Sequence, residues 1–275
     1  MTDRSQTFRR RNRTSRGREW LYPTALLLVA AGIWWGVLQL SYALFGPGYA
    51  HLLAHAVRAV SIAVLVLLTL GVLMRFHPAA RCYGLIPDRR SLRHLLAGAA
   101  AYAVPMAVVG AVILALGVAR IELPQGVTTA AGQLLAVLVL VLLYEAIPEE
   151  LIFRGYLFGF LAERWPTWAT VVTQSLVFCA WGFLIGAART PDRLLLFFLM
   201  SMSIGVIRAI TGSVYAAIGF HMAFQTATQP LLGDHWTALT LDDPDLWFTD
   251  LAFGLGPMLL GPLLVLLVYR GRRCR

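Results

Sequence analysis

The chain of 275 residues has no lysine and a single asparagine, Asn12. Its 23 basic residues are therefore all arginine, set against 14 acids for a formal charge of +9. Charge of either sign is scarce, at 13% of residues against 59% hydrophobic, and the mean hydropathy of +0.70 lies outside the range of a soluble globular domain. A nucleic-acid partner would need the arginines gathered on one soluble face, and no soluble domain exists to carry such a face. None is expected, since membrane orientation accounts for the same charge. Only Cys82, Cys179 and Cys274 are present, widely separated and odd in number, which argues against a disulfide framework or a metal knuckle. Cys274 has one residue after it and is not a prenylation signal. No internal repeat is visible, so the symmetry expected of a secondary transporter is missing. The solvent of this protein is the lipid bilayer.

A span needs about 20 apolar residues, and eight segments meet or approach that length: roughly 22–45, 52–74, 95–119, 131–161 through Pro148, 167–188, 193–210, 212–230 and 246–269. Only Thr211 and Gly212 divide the sixth from the seventh, which predicts a tight helical hairpin. The fold expected is all-α, a polytopic bundle of about eight transmembrane helices around a polar cavity. Residues 1–20 form an arginine-rich cytoplasmic arm, 21–270 one transmembrane domain and 271–275 a cytoplasmic tail. The arm reads as an anchor rather than a signal peptide, because the apolar run behind it is too long. Arginine as the sole basic residue, with one asparagine, points to a GC-rich and bacterial genome, hence to an inner membrane.

Charge inside a span needs a reason. An ionised side chain at membrane depth costs at least about 2.5–3.5 kcal/mol on insertion scales, yet Glu149, Glu150 and Arg154 fall within six residues of the fourth span, one turn after Glu145. Glu150 and Arg154 stand at i and i+4 with the acid first, the favourable order for an intrahelical pair. Glu149 lies about 100° further round the helix, free to face a cavity as a general base on water. The same spacing also fits a purely structural charge network. In the seventh span His221 and Gln225 project from one face, suited to proton transfer or oxyanion stabilisation, or simply to helix packing. His51 and His55 share a face at the start of the second span but lack a third ligand, and a membrane-interface role suits them better. Gln133, Thr173 and Gln174 are candidates to line the cavity or to bond between helices, and Trp181 to wall it.

These residues resemble the CAAX-protease and bacteriocin-processing family, also called Abi, of intramembrane endopeptidases. Glu149, Glu150 and Arg154 followed by Gly155 resemble its E-E-x-x-x-R signature, and His221 with Gln225 resembles its later H-x-x-x-N/B element. The likeness covers roughly residues 130–230. It implies hydrolysis of a peptide bond in a membrane protein or lipidated peptide, with Glu149 activating water. His221 and Gln225 would then stabilise the oxyanion, while Glu150 and Arg154 hold the geometry. A bacterial source makes a prenylated substrate less expected than a bacteriocin leader or another membrane protein. The family's intervening F-x-x-x-H is broken: Phe178 is followed four residues on by Gly182, which has no side chain to coordinate or donate. No cofactor is firmly implied, since a divalent metal such as zinc would lack the histidine it needs at 182. A degenerate relative that binds or regulates a membrane protein is the alternative.

Orientation follows from charge placement. The arm before Trp20, the loop bearing Arg75, Arg81, Arg89, Arg90 and Arg93, and the tail are arginine-rich, whereas the loop before the last span carries Asp234, Asp242, Asp243 and Asp245. The positive-inside rule then puts both termini in the cytoplasm and loop 231–246 outside. Cysteine-accessibility labelling checks this, and a tail labelled from outside would refute the even span count.

Overall fold

Apolar chain in a bilayer must satisfy its own backbone hydrogen bonds, and helices do this within one segment. The computed structural model describes residues 19–46, 52–232 and 239–273, and it is a helical bundle. In chain order the helices are α1 (Leu21–Phe45), α2 (Leu52–Phe76), α3 (Ser91–Ala115), α4 (Gly126–Ala162), α5 (Thr167–Leu184), α6 (Pro191–Thr211), α7 (Val214–Leu232) and α8 (Phe248–Tyr269). Residues 1–18 of the expected arm, His51, residues 233–238 of the loop holding Asp234 and the last two residues of the tail lie outside the described residues.

Eight spans were expected; among the described residues seven helices are long and apolar enough to cross a membrane, and α7 does not reach that apolarity. His221, Gln225, Gln229 and Pro230 dilute it. The reason is its position. Val214, Ala216, Ala217, Ile218, Phe220 and His221 are all buried, so α7 meets other helices rather than lipid and has no need of a uniformly apolar surface. The outer helices behave oppositely, with Leu28 and Trp35 of α1 and Leu53 and Leu68 of α2 exposed. Such side chains suit a lipid solvent.

Helix α7 is seated by glycine. A Cβ on Gly98 of α3 would lie 1.9 Å from the Ala216 carbonyl oxygen of α7, and one on Gly219 of α7 would lie 1.9 Å from the Leu95 carbonyl oxygen of α3. Each helix thus offers a missing side chain at the point where the other's backbone arrives. Close approach through small residues is how helices gain packing energy where no hydrophobic force separates them from lipid. Helix α8 repeats the device, since a Cβ on Gly261 would meet the Ala101 carbonyl oxygen of α3 at 2.6 Å. Tyr102 of α3 adds a hydrogen bond from its hydroxyl to the Phe253 carbonyl, 3.0 Å.

Two short strands, β1 (Arg120–Glu122) and β2 (Thr240–Asp242), pair antiparallel with Arg120 opposite Asp242. They tie the connection after α3 to the one before α8. The next acid, Asp243, accepts hydrogen bonds from the backbone N–H groups of Phe248 and Thr249 at 3.0 and 2.8 Å, which caps the start of α8. Part of the acidic loop therefore has a structural task.

The glycine crossing yields a test. Gly219→Ala is expected to destabilise the protein by about 1–3 kcal/mol or more through overpacking, read as a lower unfolding midpoint in detergent. Gly132→Ala, where a Cβ meets nothing within 4 Å, should instead stabilise by up to about 1 kcal/mol.

Candidate active site

Helix α4 has 37 residues, about 55 Å at 1.5 Å per residue, against a hydrocarbon core of about 30 Å. It runs through Pro148 without a break. Proline cannot donate to the preceding turn, and the chain absorbs this by widening into π-helical turns at Leu142–Ala146 and Leu151–Leu157, either side of Ile147–Glu150. The N–H of Ile147 accordingly bonds the Leu142 carbonyl, five residues back. Such widened turns are frequent at functional sites. Here they flank both adjacent glutamates.

Glu150 is fully buried, and its Oε1 accepts from Arg154 Nη1 at 3.0 Å and lies 2.8 Å from His221 Nδ1. One carboxylate oxygen thus joins α4 to α7. Arg154 extends the network, with Nη2 donating to Ser201 Oγ of α6 at 2.8 Å and its guanidinium 4.4 Å from the centre of the Phe178 ring on α5. Gln174 of α5 donates to the Ser201 carbonyl at 3.2 Å and to Ser175 Oγ at 2.7 Å. Arg208 of α6 supports the wide turn from outside: its Nε donates to the Arg154 carbonyl at 2.9 Å and its Nη2 to the Tyr83 carbonyl at 3.2 Å.

Glu149 sits apart from this network. It is 5% exposed, and Trp181 of α5 donates to its Oε1 from the indole Nε1 at 3.1 Å. No cation is bonded to it among the described residues. His221 nonetheless interacts electrostatically with Glu145, Glu149 and Glu150 alike. Gln225 points its amide nitrogen at Glu145, as does Gln229 one turn later, at 3.2 Å for Gln229. One hydrogen of the Gln225 amide is therefore engaged by Glu145, which leaves the second for any other acceptor.

Of the residues singled out from sequence, Glu150, Arg154 and His221 are in direct contact, Glu149 reaches Trp181, and Gln225 reaches Glu145. Gln174 joins the Arg154 network, whereas His55 lies in the first turn of α2. Gly182 is packed against α6: a Cβ there would lie 2.6 Å from the ring of Phe197 on α6 and 3.3 Å from Ala188 Cβ. The Phe197 ring, stacked 5.6 Å from Phe178, fills the space a side chain at 182 would need. The pairing of Glu145 with Gln225 and Gln229 was missed, although the four-residue repeat His221, Gln225, Gln229 signalled one polar face. Ser201 carried no signal.

The donor set does not fit a divalent metal. His221 turns Nδ1 to a carboxylate oxygen that Arg154 also occupies, Trp181 presents a hydrogen to Glu149 rather than a lone pair, and no three His, Cys, Asp or Glu side chains among the described residues are grouped to hold one.

The apolar helices and the buried ionic centre define a polytopic α-helical membrane protein with a polar site in its core. Residues 131–227 match the family model Rce1-like, type II CAAX prenyl endopeptidase Rce1-like, so the central segment of the chain is similar to that family. The match holds Glu145, the E-E-x-x-x-R run, Trp181, Ser201, His221 and Gln225 and leaves out α1 to α3 and α8. Comparisons with curated proteins and with solved structures returned no match.

A buried ion pair is no guarantee of stability, but removing one partner strands the others. Glu150→Gln leaves Arg154 and His221 without their shared acceptor charge and is expected to destabilise by about 3–5 kcal/mol. Chemical denaturation in detergent measures it; a variant as stable as the parent would show that the network does not hold these helices together.

Proposed function

We propose that the protein is an intramembrane endopeptidase in which Glu149 activates the hydrolytic water. The observation that carries this reading is the contrast between two adjacent carboxylates: Glu150, fully buried, is ion-paired to Arg154 and bonded to His221 through Oε1, whereas Glu149, 5% exposed, is met among the described residues by a neutral indole and no cation. In the step proposed, Glu149 takes a proton from water as the oxygen attacks the scissile carbonyl. The C=O electron pair moves to the oxygen, and the proton then passes to the leaving amine. His221, held at Nδ1 by Glu150, has Nε2 left for substrate, and as imidazolium it donates to the developing oxyanion. The second hydrogen of the Gln225 amide supplies another donor, with Glu145 fixing the amide. The substrate is a membrane protein or lipidated peptide, and the setting a bacterial inner membrane with both termini in the cytoplasm.

A second reading has its own observation. Phe197 occupies the space beside Gly182, as expected of a degenerate relative that keeps the bundle to bind or regulate another membrane protein.

General acid–base catalysis contributes about 10²–10⁴-fold, so Glu149→Gln should lower turnover by that factor with the fold retained. The assay compares the membrane peptidomes of a deletion strain and a Glu149→Gln strain. Matching cleavage defects support the protease; a Glu149→Gln strain that behaves as wild type while the deletion has a phenotype favours the regulatory reading.

A further inference from the structure

The gap at Gly182 and the hydrogen bond on Glu149 belong together. Helix α5 passes the site with two consecutive residues, Trp181 and Gly182. The first is 4% exposed and turns its indole N–H onto Glu149 Oε1. Its ring is fixed from two other helices, edge-on to Trp34 of α1 with centroids 5.1 Å apart and against Phe153 of α4 at 5.7 Å. The second has no side chain, because Phe197 stands 2.6 Å from where its Cβ would be. At this level α5 can therefore offer Glu149 a donor only from position 181.

We propose that Trp181 is the positioning residue for Glu149 in this protein, locked by Trp34 and Phe153 and made necessary by the packing of Phe197 on Gly182. The inference rests on the reading of Glu149 as the water-activating base and deepens it. An indole N–H is a donor and nothing else: it takes no proton and binds no metal. Its whole action is to hold Oε1, so that the carboxylate plane is fixed and Oε2 faces the water. Trp34 lies outside the segment that matches the family model, so α1 becomes part of the site's support.

The experiment has two arms, so that failure here is separable from failure of the proteolytic reading. In the first, protein labelled with ¹⁵N at the tryptophan indoles is examined in micelles, with the Trp181 resonance assigned by its loss in Trp181→Phe. It is expected downfield and slow to exchange, and Glu149→Gln should move it upfield because a carboxamide oxygen is a weaker acceptor. A Trp181 indole unmoved by Glu149→Gln overturns the proposal whatever the activity. In the second arm, an internally quenched peptide ending in an S-farnesyl-cysteine, two aliphatic residues and a variable residue is the substrate. Trp181→Phe keeps the ring packing and removes the donor, so kcat should fall about ten- to hundredfold, the weight of one hydrogen bond to a charged group, with KM and unfolding midpoint little changed. A wild-type kcat in Trp181→Phe refutes positioning. If the parent leaves this peptide uncut, the resonance arm still decides the hydrogen bond, and the failure falls on a prenylated peptide as the substrate of the proteolytic reading. Gly182→His should lose folded protein, and adding Phe197→Ala should recover it; free accommodation of the histidine would remove the steric half of the argument.

Discussion

One oxygen atom organises the core. Glu150 Oε1 is shared by a guanidinium on its own helix and an imidazole on α7, and the same guanidinium reaches α6 through Ser201 and α5 through the face of Phe178. Four helices are held in register by a charge set that could not exist at membrane depth unless every member had a partner, since an isolated ion there is too costly. The constraint is mutual: the helices keep lipid and water away from the charges, and the charges fix which helix faces meet.

That commitment divides the labour between neighbours. Because the charge of Glu150 is engaged by Arg154 and His221, Glu149 is left as the carboxylate with no bonded cation among the described residues, held by one neutral donor. The π-turns on either side of the pair contribute to this geometry. They let α4 carry Pro148 through its middle, and Arg208 of α6 donates to the Arg154 carbonyl within the second of them. The chemistry proposed for Glu149 thus depends on backbone irregularities that a regular helix would lack. It also depends on Phe197, which closes one position on α5 and makes the indole beside it the neighbouring donor.

Packing between helices follows a different rule from packing in water. Gly98, Gly219 and Gly261 sit where a backbone carbonyl of another helix arrives, and their value is the space they do not fill. Through them α7, the least apolar of the long helices, is pressed against α3. A helix bearing a histidine and two glutamines is tolerated because its polar face points at Glu150 and Glu145 rather than at lipid.

The sequence by itself determined the class: apolar runs of bilayer length admit little but a helical bundle, and every one of the eight segments read from them is a helix. It also made Glu150 and Arg154 a pair, because that contact is local and helical spacing alone brings the two side chains together. The family likeness of the central segment was legible too, from the Glu149–Gly155 run of one span and His221 with Gln225 of another. What only the tertiary structure decided are contacts between distant parts of the chain. The bond from His221 to Glu150 rather than Glu149, the capture of Gln225 by Glu145, the indole on Glu149 and the ring of Phe197 against Gly182 all depend on the rotation and depth of one helix against another. Sequence periodicity gives the polar face of each helix, but lipid solvates all apolar faces alike, so only the interlocking of particular side chains sets which faces meet and at what height.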